Sequence, residues 1–194
     1  MTLGIIDCGS QKTPALIDCI DSLCDYQLIG LNDIHLETAL QLDGLIFSGA
    51  PLLWTEQNLL ALLDQFAWLC DYPKPILGIC FGHQLLGQCY GARVARMRDD
   101  RDWQEIEIVT ADRLFERLPD CFDMREDHCE HISIAPNFVQ LACSDACSNE
   151  AMKHRDKAHY GVQFHPEVSG NTGYTLLENF VWIVEDQLLT RNGE

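Results

Sequence analysis

The sequence contains no apolar run near the roughly 20 residues that a bilayer-spanning helix requires, so a membrane-embedded protein is not expected. It opens Met1-Thr2-Leu3-Gly4-Ile5-Ile6-Asp7 and lacks the basic start and small-residue cleavage site of a secretory signal, which predicts a cytoplasmic protein. Basic residues are scarce: 13 Lys and Arg stand against 30 Asp and Glu, for a formal charge of -17. Such a surface repels phosphate backbones and anionic headgroups over a Debye length of ~8–10 Å. No nucleic acid and no membrane surface is therefore expected as a partner. None of the ten cysteines forms a Cys-x-x-Cys pair. Free thiols are expected rather than a disulfide framework. Cys143-x-x-x-Cys147, and Cys121 with His128, Cys129 and His131, lack the regular spacing of zinc ligands, so no metal is expected. Internal repeats, low-complexity tracts, Pro/Gly-rich linkers and a Gly-rich nucleotide-binding loop are also missing.

What remains is an ordinary globular composition, 47% hydrophobic and 22% charged, in 194 residues. One domain over 1–194 accommodates it. Leu3 to Asp7 is a short apolar run that stops at the polar Gly9-Ser10-Gln11, as a buried parallel strand does. Pro14 near a helix start, followed by Ala15, Leu16, Cys19, Ile20 and Leu23, predicts the next helix. Tyr26 to Leu31, Asp43 to Gly49 and Pro75 to Ile79 read as further strands. Glu56 to Leu69 reads as a long Leu-rich helix packed on the sheet, and the segment after Cys80, with Leu85 and Leu86, as a helix ending near Gly91. Between Ala92 and Val162, shorter runs such as Trp103 to Val109 and Phe138 to Cys143 suggest an added antiparallel region. Asp99-Asp100-Arg101-Asp102 reads as a solvated turn. A strand over Tyr160 to Phe164 and an amphipathic helix from Tyr174 to Leu189 close the chain. Alternating strands and helices predict an α/β fold with an open, mostly parallel sheet covered on both faces.

Gly78-Ile79-Cys80-Phe81-Gly82 has the Gly-x-nucleophile-x-Gly spacing of a tight strand-to-helix turn, in which small neighbours let the nucleophile stand clear of the backbone. At a helix N-terminus the unpaired N–H groups and the partial positive charge favour thiolate over thiol. In Gly161-Val162-Gln163-Phe164-His165-Pro166-Glu167, Pro166 argues for extended backbone that sends His165 and Glu167 to one side. An imidazole oriented by a carboxylate in this way serves as a proton carrier for a thiol nucleophile.

Gly78 through Gln84 (GICFGHQ) and Tyr160 through Glu167 (YGVQFHPE) together resemble the class I glutamine amidotransferases. Within that class the similarity is to the glutaminase part of GMP synthetases, through Ile6-Asp7-Cys8-Gly9-Ser10-Gln11, Gly44 through Pro51, Leu114-Phe115, Leu118-Pro119, Leu176-Leu177 and Asn179-Phe180-Val181. The resemblance implies a flavodoxin-like amidotransferase fold and hydrolysis of glutamine through a cysteinyl thioester. It implies Cys80, His165 and Glu167 as the catalytic triad, and no organic cofactor or metal for the reaction. The N–H groups of Ala50 and Phe81 would hold the oxyanion, and Gly49, Gln84, Asp127 and Cys129 would contact substrate. His83 is expected to be structural. The ammonia would pass to a separate ATP-dependent synthetase subunit, as in conversion of XMP to GMP.

The substrate loop is the main departure. The Ser-His-Gly-Asp common in the family stands here as Asp127-His128-Cys129-Glu130, which replaces a glycine by a side chain and adds a charge. A free-standing hydrolase of γ-glutamyl peptides or other amides is one alternative reading of that loop, and a non-catalytic regulatory module is another. Cys8 also replaces an aromatic before Gly9, and Val168 through Gly173 departs from the His-Thr stretch of GMP synthetases.

Overall fold

The computed structural model describes residues 1–192; the last two positions of the expected domain, 193 and 194, lie outside the described residues. In chain order the elements are β1 (Thr2–Asp7), α1 (Thr13–Asp21), β2 (Asp25–Gly30), α2 (Leu36–Ala39), β3 (Gly44–Phe47), α3 (Leu60–Phe66), β4 (Ile76–Ile79) and α4 (Phe81–Cys89). There follow β5 (Val94–Ile108), β6 (Cys121–Ile132), β7 (Phe138–Cys143), β8 (Ala151–His154), β9 (His159–Val162) and α5 (Gly170–Asn192). Among the described residues no helix is long and apolar enough to cross a membrane, and all ten cysteines are free.

All nine strands form one sheet in the order β2-β1-β3-β4-β9-β8-β7-β5-β6. The first five are mutually parallel, in the flavodoxin-type order, and the remaining pairings are antiparallel. The antiparallel strands continue the parallel sheet through the β8–β9 ladder. The two faces carry separate cores. Along β3, Leu45 and Phe47 join one cluster with Phe66 of α3 and Leu85 and Leu86 of α4. Ile46, pointing the other way, joins Leu16 and Ile20 of α1 and Leu176, Leu177 and Phe180 of α5. Strands apolar on both faces read as solid hydrophobic runs, which is why β1, β3 and β4 are plain in the sequence.

Several elements differ from expectation. The Leu-rich segment from Glu56 gives a helix only over Leu60–Phe66, then a 3₁₀ turn over Ala67–Cys70. The residues before it form a loop whose Trp54 and Thr55 amides donate to Glu130 Oε2 and Oε1 at 2.8 and 2.9 Å. Asp99 to Asp102 is not a turn: it lies inside β5, where a register shift between Arg96 and Asp100 bends the ladder to β6. Asp100 is buried there. The expected loop Asp127–Glu130 is likewise part of β6. Pro166 opens a 3₁₀ turn over Pro166–Val168 instead of enforcing extended backbone, because proline is tolerated in the first turn of a helix.

Two buried histidines give the fold an acid limit. Burial, reinforced by the charge of His128, pushes His83 down to about 3, against a backbone hydrogen bond with Gly161. Burial, with Lys157 and His154 adding to it, pushes His159 down to about 3 as well. His159 is held between Tyr90 Oη and the Tyr72 carbonyl, each at 3.0 Å. In the unfolded chain both titrate near 6.5, so the unfolded state binds the extra protons. Their contribution to stability is present above about pH 6.5 and is lost as pH falls toward 3, with a slope of about 1.4 kcal/mol per pH unit for each. Urea midpoints measured from pH 7 to pH 4 are expected to fall, and His159→Gln to fall less steeply than the parent. Parallel curves would refute the assignment.

Candidate active site

The carboxyl ends of the parallel strands meet around one cavity of about 440 Å³, within the range of small-molecule sites. Ser10 follows β1, Ala50 follows β3, Cys80 follows β4 and His165 follows β9, and all four line it.

Cys80 stands between β4 and α4 at φ 51° and ψ -105°, a left-handed conformation that few side-chain-bearing residues adopt. Its N–H donates to the Val162 carbonyl at 2.8 Å, and its carbonyl accepts from the Gln84 N–H at 3.0 Å. The strained turn is thus clamped on both sides. The flanking glycines are required by close approach: a Cβ on Gly78 would lie 2.4 Å from the Gly82 carbonyl oxygen, and one on Gly82 would lie 2.4 Å from that of Phe47. Cys80 is the N-cap residue of α4, so it stands at the helix end that carries partial positive charge.

His165 is buried and its Nδ1 lies 2.8 Å from Glu167 Oε1. Its backbone is fixed by an N–H donated to the Arg125 carbonyl at 2.8 Å and by the Ser169 hydroxyl, which donates to its carbonyl at 2.7 Å. His165 and Cys80 converge: a Cβ built on Gly49 would sit 3.1 Å from His165 Cε1 and 3.7 Å from Cys80 Cβ. Burial works against a charged imidazole here, yet the charge of Cys80, a hydrogen bond with its side chain and the Glu167 carboxylate overcome it and push the His165 pKa up to about 10.

The other expected residues fall around this pair in different ways. Ala50 and Phe81 line the cavity, and Phe81, as the first residue of α4, has an N–H without an intrahelical acceptor. The Phe81 ring stacks on Trp54, with centroids 5.5 Å apart. Gln84 also lines the cavity, but its amide donates to the Glu130 carbonyl and to Gln163 Oε1, both at 3.1 Å. Asp127 lies at the lip, where Lys12 Nζ approaches to 2.6 Å and Arg101 Nε to 3.8 Å. Partial burial works to raise the Asp127 pKa, but the hydrogen bond and charge of Lys12 lower it overall. Cys129 lines the cavity with a thiol pushed up by burial. Ser10 and Glu130, from stretches the resemblance singles out, belong to the cavity wall, as do Lys12 and Arg101, which carry no site signal in the sequence; Lys12 and Asp127 are 115 residues apart.

A cysteine held on a strained strand-to-helix turn, beside an imidazole paired with a carboxylate, is the arrangement that thiol-dependent acyl transfer requires, here set in a flavodoxin-like sheet. The family model of class-I glutamine amidotransferases matches residues 4–184, and the chain belongs to that family. Among curated proteins, it is 40% identical over 145 residues to the glutamine-hydrolysing GMP synthase subunit of Pyrococcus abyssi, covering 73% of this chain and 76% of that one. The corresponding glutamine-hydrolysing subunit of Methanococcus maripaludis is 38% identical over 146 residues, covering 72% of each chain. A solved structure of a candidate GMP synthase subunit from Thermoplasma acidophilum superposes with a TM-score of 0.90 at 26% identity, covering 99% of this chain and 98% of that one. A glutamine amidotransferase of Thermotoga maritima, at 16% identity and a TM-score of 0.73, covers 100% and 86% respectively and shares the fold. The chain is thus a class I glutamine amidotransferase homologous to the glutamine-hydrolysing subunits of GMP synthases.

Proposed function

We propose that this chain hydrolyses glutamine to glutamate and delivers the ammonia to a separate ATP-dependent synthetase subunit in the cytoplasm, which uses it to aminate XMP to GMP. The reading is carried by the meeting of Cys80 and His165 over Gly49 at the carboxyl ends of β4 and β9. The Cys80 sulfur attacks the side-chain amide carbon of glutamine. The N–H groups of Phe81 and Ala50 receive the oxyanion, an interaction whose loss typically costs on the order of 10²–10³ in rate. The His165 imidazolium gives its proton to the departing nitrogen as the C–N bond breaks, leaving ammonia and a γ-glutamyl thioester. Neutral His165 then takes a proton from water, which attacks the thioester and returns the sulfur as glutamate leaves. Glu167 keeps the proton on Nδ1 and stabilises the charged ring. At the lip, Lys12 and Arg101 present positive charge toward the α-carboxylate end of glutamine and Asp127 presents negative charge toward its α-ammonium.

The test is ammonia release from glutamine by the purified chain, first by itself and then in the presence of a GMP-forming synthetase. Release that depends on glutamine and is coupled to GMP formation is the expected result; release only from γ-glutamyl peptides, or none under any condition, would overturn it. Glu167→Gln is expected to lower kcat by on the order of 10²–10⁴ with little change in KM, since an amide can hold the ring in the wrong tautomer. It also removes a charge that raises the His165 pKa, so the alkaline limb of the kcat profile moves to lower pH. An unmoved limb would refute this role.

A further inference from the structure

Behind the cavity wall, β5 and β6 and the residue preceding β8 turn four ionisable side chains toward one another: Asp100, Glu126, His128 and Glu150, all buried. One donor atom from each of Asp100, His128 and Glu150 lies within 4.8 Å of the other two. Each of these three is anchored through one atom. Asp100 Oδ1 accepts from Gln104 Nε2 at 2.8 Å, Glu150 Oε1 accepts from the Ser144 hydroxyl at 2.6 Å, and His128 Nδ1 lies 2.9 Å from the Glu130 carbonyl. In each the second atom, Asp100 Oδ2, Glu150 Oε2 or His128 Nε2, is buried and makes no hydrogen bond of ordinary geometry. A histidine whose Nδ1–H is tied to a backbone carbonyl presents a lone pair on Nε2, the arrangement that orients metal-ligating imidazoles. Glu126 closes the cluster, with Oε2 3.3 Å from His128 Nε2, on a histidine side chain only 2% exposed.

We propose that Asp100, Glu126, His128 and Glu150 bind one divalent first-row metal ion, of the Mn²⁺ class. Three carboxylates gathered in a buried cluster repel one another unless protons or a cation stand between them, and a cation can be held by all three at once. Glu126 and Glu150 face each other, a contact that is a hydrogen bond when one carries a proton and a repulsion when neither does. An oxygen-rich set with one imidazole suits Mn²⁺ or Fe²⁺. Ca²⁺, which takes six to eight oxygens, and Mg²⁺, which keeps several waters, suit it less. His128 and Glu126 lie one on each side of Asp127, so the ion would fix the strand that carries Asp127 and Cys129 to the glutamine end of the cavity. It would stand outside the thiol chemistry.

Mn²⁺ is also the cleaner probe, because ten free thiols would capture softer ions. The full chain, stripped with chelator, is titrated with Mn²⁺ and the free-ion electron paramagnetic resonance signal is followed. One ion per chain is expected, with Tm rising by roughly 5–10 °C at a hundredfold excess over Kd. The double variant Glu126→Gln/Glu150→Gln is expected to weaken binding at least 100-fold and to abolish the Tm response. Should that variant not fold, His128→Asn must show the same loss. No uptake by the parent up to 1 mM Mn²⁺, or undiminished uptake by the folded variants, would overturn the proposal and leave the cluster held by shared protons.

Discussion

Cys80→Ala is expected to abolish ammonia release from glutamine, by on the order of 10⁴-fold or more, while leaving glutamine binding in place. The size of the effect follows from what the residue does. Without the sulfur no thioester forms, and direct attack by water has no positioned nucleophile to replace it. The backbone need not change, since alanine inherits the φ of 51° held by the Val162 and Gln84 hydrogen bonds. The substitution also removes the foremost influence raising the His165 pKa, so the imidazole is expected to titrate lower in the variant, with burial then working against its charge. Nuclear magnetic resonance of the His165 ring reads this directly. Residual release within tenfold of the parent, or a His165 titration that does not move, would mean that the cysteine and histidine do not act as a pair.

That pair is legible in the sequence because each half is local. The elbow needs glycine on both sides of its nucleophile within five residues, and the histidine and glutamate lie two apart. The strands β1, β3 and β4 are legible because burial on both faces requires an unbroken apolar run. β6 is not, although its burial alternates almost perfectly along its length. The inward positions read Phe122, Met124, Glu126, His128, Glu130 and Ile132, so half of the core-facing register is written in ionisable residues. A hydrophobic period of two cannot be seen where the buried side chains are Glu, His and Glu. The same substitution of charge for apolar residues disguises Asp100 inside β5 as a turn.

Chain separation conceals the rest. Glu130 pins the loop at Trp54 and Thr55 across about 75 residues, and Lys12 reaches Asp127 from the opposite end of the sheet. Nothing near either residue in sequence announces the partner. The expectation that no metal binds rests on cysteine and histidine spacing, which does not bear on the four side chains proposed above. Carboxylates brought together by strand register leave no spacing to read.

The segment after Glu167, which departs from the pattern of GMP synthetases, turns out to brace the histidine. A 3₁₀ turn over Pro166–Val168 leads directly into α5, and Gly173 in the first turn of that helix presses on it: a Cβ there would lie 1.9 Å from the Pro166 carbonyl oxygen and 2.7 Å from its carbon. The neighbour is backbone, so it cannot swing aside. Gly173→Ala must therefore lift α5 or displace the peptide joining His165 to Glu167. Overpacking ordinarily costs about 1–3 kcal/mol, and a contact this short against main chain belongs at or above the upper end, a loss of roughly 6–12 °C in Tm for a chain of this size. A shift of the imidazole by about 1 Å would lower kcat by a further factor of about 10². Gly170 supplies the control. It has φ +62° but no atom within 4 Å of its added Cβ, so Gly170→Ala meets backbone strain alone, about 1 kcal/mol, and leaves the turn where it is. Thermal melts and kcat for the two variants should separate widely; equal losses would mean that the helix start, and not its contact with Pro166, sets the position of His165.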